Sequence, residues 1–146
     1  MVPQGRAALA CVLAWLIPGG GHLYLGKRVK AVIFFVVVVV MFALGLAMDG
    51  RVYLAASDQP LSYLAAAANL GMGPLDLIGR RISYDQIIYL VPPERDRAHY
   101  EEIMDRMRRR ILIGTHEYGT TFILTASLMN ILLILDAFDI AIGRKP

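Results

Sequence analysis

The sequence predicts an all-α integral membrane protein. It has three transmembrane helices, with an interfacial or re-entrant helix and an amphipathic helix in the long loop between the last two spans. Hydrophobic residues make up 57% of its 146 residues, against about 45–50% in soluble domains. They are gathered in blocks instead of recurring periodically. Ala31–Met48 holds neither charge nor proline and includes five consecutive valines. That makes about 27 Å of helix at 1.5 Å per residue, close to the hydrocarbon thickness of a bilayer. A helix this long and apolar on every face is foreign to the core of a small soluble protein. The chain is read as one membrane domain, 1–146, with spans at about 7–26, 31–48 and 118–142 and an extramembrane or interfacial loop at 49–117.

The formal charge is +3. Because the arginines flank apolar spans, the expected counterpart is a bilayer with anionic head groups and not nucleic acid. One cysteine, Cys11, allows no internal disulfide or cysteine-based metal cluster. Arg6 before an apolar run imitates a secretory signal. That reading is set aside because the run continues past any cleavage point without an A-x-A site.

The first span is ordinary up to Ile17, where Pro18, Gly19, Gly20 and Gly21 interrupt it. Proline removes a backbone donor and kinks a helix, and glycines allow a break or a close backbone approach. In lipid such a break must be satisfied by neighbouring protein or water, so these four residues are expected to pack against another helix. Tyr24 is placed near an interface. Lys27, Arg28 and Lys30 form a basic turn short enough to make the first two spans antiparallel neighbours. Between residues 61 and 78 a helix is cut by Gly71, Gly73, Pro74 and Asp76, which favours an interfacial or re-entrant helix over a fourth span. Residues 80–93 read as a short strand or turn ended by Pro92 and Pro93. Residues 94–113 read as a helix with Glu102–Arg106 and Asp105–Arg109 at i,i+4 spacing. Tyr100, Met104, Met107 and Ile111 form its apolar stripe, facing the membrane, a partner or the protein's own loop. The last span ends at Gly143, with Arg144 and Lys145 as anchors. The basic turn and the C-terminus are expected on the cytoplasmic face, with the N-terminus outside.

Asp136 and Asp139, three apart, share a helix face near the end of the last span. Their nearest expected cations are Lys27, Arg28 and Lys30. The pair reads either as an interfacial ion-pair clamp or as a proton or cation site. Asn130, deeper in the span, reads as an interhelical hydrogen-bonding residue or a substrate ligand. His22 beside three glycines admits a haem or chlorophyll reading, since small residues make room for a flat ring, against that of a satisfied interfacial histidine. No nucleophile motif, phosphate loop or metal-ligand spacing occurs in the sequence, so catalysis is not expected.

Ala14–Arg28 (AWLIPGGGHLYLGKR) and Glu117–Ile140 (EYGTTFILTASLMNILLILDAFDI) together resemble a family of small uncharacterised bacterial membrane proteins, a domain of unknown function. The first stretch is also similar to the hinge of the two-transmembrane-helix domain family. The family resemblance implies a multi-pass protein of the bacterial inner membrane and supplies no mechanism. The residues themselves lead to a non-catalytic accessory or structural subunit of a larger membrane complex, or an assembly factor. Its contacts with other membrane subunits would be the Gly19–Gly21 surface and the Tyr100/Met104/Met107/Ile111 stripe. The alternatives are a small oligomeric ion or proton channel or carrier lined by Asn130, Asp136 and Asp139, or a pigment-binding subunit using His22.

Overall fold

The computed structural model describes residues 4–145. The elements are α1 (Gln4–Leu16), α2 (Gly20–Tyr24), α3 (Arg28–Ala47), α4 (Pro60–Leu70), α5 (Pro74–Tyr84), α6 (Arg97–Ile111) and α7 (His116–Ala141). Among the described residues there is no strand, only isolated bridges pairing Ala55 with Leu90 and Ala56 with Gln59. Two helices, α3 and α7, are long and apolar enough to cross a membrane.

α7 is the central element, and α1, α2, α3, α4 and α6 all pack on it. α3 runs antiparallel to it, with Gly45 against Gly119 at one end and the Gly19–Ala31 contact beside Ala137 at the other. The seam is backbone against backbone: a Cβ on Gly45 would stand 2.7 Å from the Gly119 carbonyl oxygen. Val38, Phe42, Met72, Ile123 and Leu133 fill the core between them.

The break at Pro18 is a reversal, and here the structure corrects the sequence reading. The segment 7–26 is not one continuous span. α1 stops at Leu16, Gly19 turns the chain at φ 79°, and α2 folds back along α1. A Cβ on Gly21 would lie 2.4 Å from the Ala10 carbonyl oxygen. α2 then closes in a Schellman motif, Gly26 N–H to Leu23 O at 3.0 Å and Lys27 N–H to His22 O at 2.8 Å, with Gly26 supplying the left-handed φ of 80°. The start of α1 therefore lies at the same end as the basic turn and the end of α7, where Ala7, Ala10 and Ala141 pack with Leu25 and Ile142. The expectation that the N-terminus and the basic turn lie on opposite faces fails for this reason.

A second helical hairpin enters from the other end. α4 descends along α7 to Leu70, the chain turns through Gly71–Gly73, and α5 returns, its N1 position occupied by Pro74. Helix continues to Tyr84, so the short strand read into 80–93 is replaced over its first five residues by α5. The two hairpin tips meet at mid-height of α7. There Trp15 Nε1 donates to Leu70 O at 2.8 Å, and Gly73 sits against the Trp15 carbonyl.

Polar side chains are buried beside the apolar core while large apolar ones stand exposed. His22, Asn69, Asp76, Arg80, Ser83, Ser127 and Asn130 are buried, whereas Val29, Val32, Leu61, Leu64 and Leu132 stand more than 60% exposed. Gly45→Ala should cost about 1–3 kcal/mol by forcing the α3–α7 seam apart. Gly114→Ala, into open space, should stay within about 0.5 kcal/mol. Thermal unfolding of the two variants tests the seam, and equal midpoints would refute it.

Candidate functional site

Polar side chains gather at three heights along α7. At its C-terminal end, α2 carries His22 into the seam between α3 and α7, where the ring is fully buried and stands edge-on to Phe34 at 4.9 Å. His22 Nε2 donates to Asp136 Oδ2 at 3.0 Å, because an ionised carboxylate can only accept. Lys145 Nζ donates to Asp136 Oδ1 at 2.6 Å, and this carboxylate raises the Lys145 ammonium above the usual lysine range. Asp139 faces Arg144 at 3.7 Å. The partners of the two aspartates are thus His22, Lys145 and Arg144, not the basic turn as the sequence reading had it. The turn shares their end of the bundle, but none of the ion pairs among the described residues involves Lys27, Arg28 or Lys30.

Of the two ring nitrogens of His22, Nε2 is taken by Asp136 and Nδ1 is buried without a partner among the described residues, and the small-residue platform beside it is packed against the chain itself. Gly19 abuts the Ala31 backbone, Gly20 abuts Leu13, and Gly21 abuts Ala10, Ala14 and Ala137. The same packing corrects the expectation that Gly19–Gly21, next to buried Pro18, is a surface for another subunit. The close approach is intramolecular. Tyr24 stays 43% exposed on the outer side of α2.

At mid-height, Asn130 Nδ2 donates to Gly71 O at 2.7 Å and to Ala14 O at 3.4 Å, so one amide ties both hairpin tips to α7. One turn away, Ser127 Oγ lies 3.0 Å from Asn69 Oδ1 and 2.8 Å from Ile123 O. A hydroxyl has one proton for these two acceptors. Donation to Ile123 O, with the Asn69 amide turned to offer its NH2 to Oγ, satisfies both bonds. Two buried amide oxygens, on Asn69 and Asn130, are then left without a donor.

The third group was missed in the sequence. Arg80 and Asp76 are both buried on α5, with Nε donating to Oδ2 at 2.8 Å. Arg80 Nη1 donates to Ile88 O at 2.6 Å and Tyr53 O at 3.3 Å, and the guanidinium stacks 4.0 Å above the Tyr89 ring. It therefore clamps two non-helical stretches to α5. Beyond it, the Tyr84 hydroxyl donates to Val52 O, and burial pushes its pKa up to about 12. The signal was the i,i+4 spacing of Asp76 and Arg80, hidden because the two fell into separately read elements.

On α6 the packed face is offset from the expected stripe. Ile103 is fully buried against Leu54 and Tyr84, with Met107 beside it, while Arg110 donates to Gly50 O at 3.2 Å and Ile82 O at 2.9 Å. Tyr100 and Met104 are half-buried and Ile111 is 56% exposed. The stripe therefore runs through 103, 107 and 110, against the protein's own loop. Glu102 and Arg106 pair at 3.1 Å.

The match with known sequences is decisive on family. Residues 9–146 match the family described as "Family of unknown function (DUF6677)". The chain belongs to that family. No curated protein and no solved structure matches it. In this chain the breaks at Pro18 and Gly71–Gly73 are tied together by Asn130 and Trp15, and the buried Asp76–Arg80 pair should behave as a unit. Arg80→Leu leaves Asp76 buried without its cation and should lose about 3–5 kcal/mol. The double variant Asp76→Leu/Arg80→Leu should recover part of that loss in thermal unfolding. A double variant no more stable than the single one would show that the two groups do not act as a pair.

Proposed function

We propose that this member of the family is a non-catalytic multi-pass protein of the bacterial inner membrane that works by contact, as an accessory or structural subunit or an assembly factor of a larger membrane complex. The observation that supports membrane embedding is this burial pattern: a buried set of His, Asn, Asp, Arg and Ser inside a shell of exposed Leu, Val, Ile and Phe. A soluble fold would lose free energy on both counts. In this reading α3 and α7 cross the bilayer, and α1–α2 and α4–α5 are re-entrant hairpins from opposite faces. Lipid tolerates such breaks only where protein satisfies the freed carbonyls, and Trp15 and Asn130 do so.

The contact reading rests on closed interhelical seams, with Gly45, Gly50 and Gly119 in backbone contact and Ala7, Ala10 and Ala14 buried on α1. The surface left for partners is the apolar perimeter and the charged outer side of α6, which carries Glu101, Asp105, Arg108 and Arg109. A second reading, a small ion or proton carrier, is favoured by one feature: donor-poor amide oxygens beside broken helices at mid-depth, the place where carriers bind cations.

Cysteine labelling in a Cys11→Ser background separates the topologies. Gly5→Cys and Arg28→Cys should react from the same side of the membrane, and Asp58→Cys and Arg108→Cys from the other. Labelling of positions 5 and 28 from opposite sides would restore three continuous spans. Gentle extraction followed by native electrophoresis should show migration with larger subunits. A lone small oligomer whose reconstituted ion flux is lost in Asn130→Leu would favour the carrier instead.

A further inference from the structure

We infer that the groove between α2 and α3 is a binding site for one anionic phospholipid, its acyl chain lying over Gly19 and Gly20 and its phosphate on Lys27 and Arg28. The inference rests on the membrane reading above and adds a specific ligand to it. The groove holds about 170 Å³ and is lined only by apolar residues, with Ile17 and Leu23 on one wall, Val32 and Phe35 on the other, and glycine at the floor. Gly19 and Gly20 let this turn lie close on its neighbours, since a Cβ at 19 or 20 would meet the Ala31 or Leu13 carbonyl, and the groove runs over the packed turn between Ile17, Leu23, Val32 and Phe35.

Each wall ends in a cation. Arg28, Val32 and Phe35 stand at i, i+4 and i+7 on α3 and share one face. This sets the guanidinium about 10 Å along the helix from the far end of the groove. On the other side Lys27 follows Leu23 by four residues and is fixed by the Schellman closure of α2. Charge complementarity identifies the occupant. The carboxylates of this end, Asp136 and Asp139, are engaged with His22, Lys145 and Arg144, and none of the ion pairs among the described residues neutralises Lys27, Arg28 or Lys30. Two cations beside an apolar groove match a ligand with a negative head and a hydrocarbon tail. Neither inorganic phosphate nor a zwitterionic lipid matches both halves.

Native mass spectrometry of the full chain, released from nanodiscs of equal phosphatidylglycerol and phosphatidylcholine content, tests the site. Wild type should retain one phosphatidylglycerol with a preference of roughly twenty-fivefold, Lys27 and Arg28 each contributing about fivefold. K27Q/R28Q should bring the two lipids to near parity. Val32→Trp, at an exposed position that fills the groove without entering the core, should abolish the retained lipid, and R108Q/R109Q at the opposite end should leave it unchanged. Equal retention of the two lipids by wild type overturns the proposal. So does an unaffected adduct in Val32→Trp, which would mean that charge alone holds it, or loss in R108Q/R109Q, which would place it elsewhere. A protein that inserts into nanodiscs but ignores head-group charge refutes this site alone, whereas one soluble without detergent refutes the membrane reading itself.

Discussion

The fold depends on how closely other backbones can approach one face of α7. Gly119, Thr120, Ile123, Ala126, Ser127, Asn130, Leu133, Ala137 and Ala141 are all buried there, and most are small. α3 closes on Gly119 through Gly45 and the loop after it through Gly50, α2 closes on Ala137 through Gly21, and α1 brings Ala7 and Ala10 to Ala141. Small residues replace apolar burial as the source of cohesion where the surroundings are themselves apolar, because contact and dispersion are what remain. The polar members of the same face perform a second task. Thr120 accepts from Arg51 N–H at 3.2 Å, and Ser127 and Asn130 reach the C-terminal end of α4, so α7 both packs its neighbours and satisfies their interrupted backbones.

How much of this was legible in the sequence divides by whether a signal was local. The long apolar helices α3 and α7 follow from apolar length, α6 from charge spacing, and the helix stop at Gly143 from its residue type. That stop is made by Gly143 N–H to Ile140 O at 3.1 Å and Arg144 N–H to Asp139 O at 2.9 Å. The reversal at Pro18 was not legible, because proline followed by glycines permits a kink or a turn alike. Tertiary contact decides between them, through Ala10 and Ala14, small enough to admit α2. Their spacing with Ala7 puts a stripe of small residues on α1, but nothing local says that it faces the same chain.

The Asp136 cluster shows a different limit. Sequence reasoning placed the basic turn and both aspartates at one end of the bundle, and the geometry agrees. It then assigned partners by nominal proximity. The cations that arrive are those on the C-terminal tail of the same helix, where Gly143 turns Arg144 and Lys145 back toward Asp139 and Asp136. A left-handed turn of one residue determines the pairing, and it frees the basic turn to face outward. The α6 stripe erred by one residue for a related reason. Apolar periodicity admitted both 100/104/107/111 and 103/107, and Arg110, counted as a polar residue, turned out to donate to three carbonyls on the packed side.

The buried polar groups bear on the choice between a contact protein and a carrier through what their donors do. Arg80 directs its guanidinium at the carbonyls of Tyr53 and Ile88 and at Asp76, Asn130 gives both amide protons to Ala14 and Gly71, and Trp15 gives its one proton to Leu70. His116, at the opposite end of α7 from His22, donates through Nδ1 to Asp49 O at 2.8 Å. Each of these donors closes a carbonyl that a helix break or loop has left open, which is what a non-helical backbone needs where water is scarce. A transport cycle in which one of these donors exchanged its partner would expose a buried carbonyl at a cost of about 1–3 kcal/mol. Arg80 is the least able to move, since its guanidinium is shared among a carboxylate, two carbonyls and an aromatic face at once. The polar interior is therefore better matched to holding two broken hairpins in a fixed register than to cycling between states.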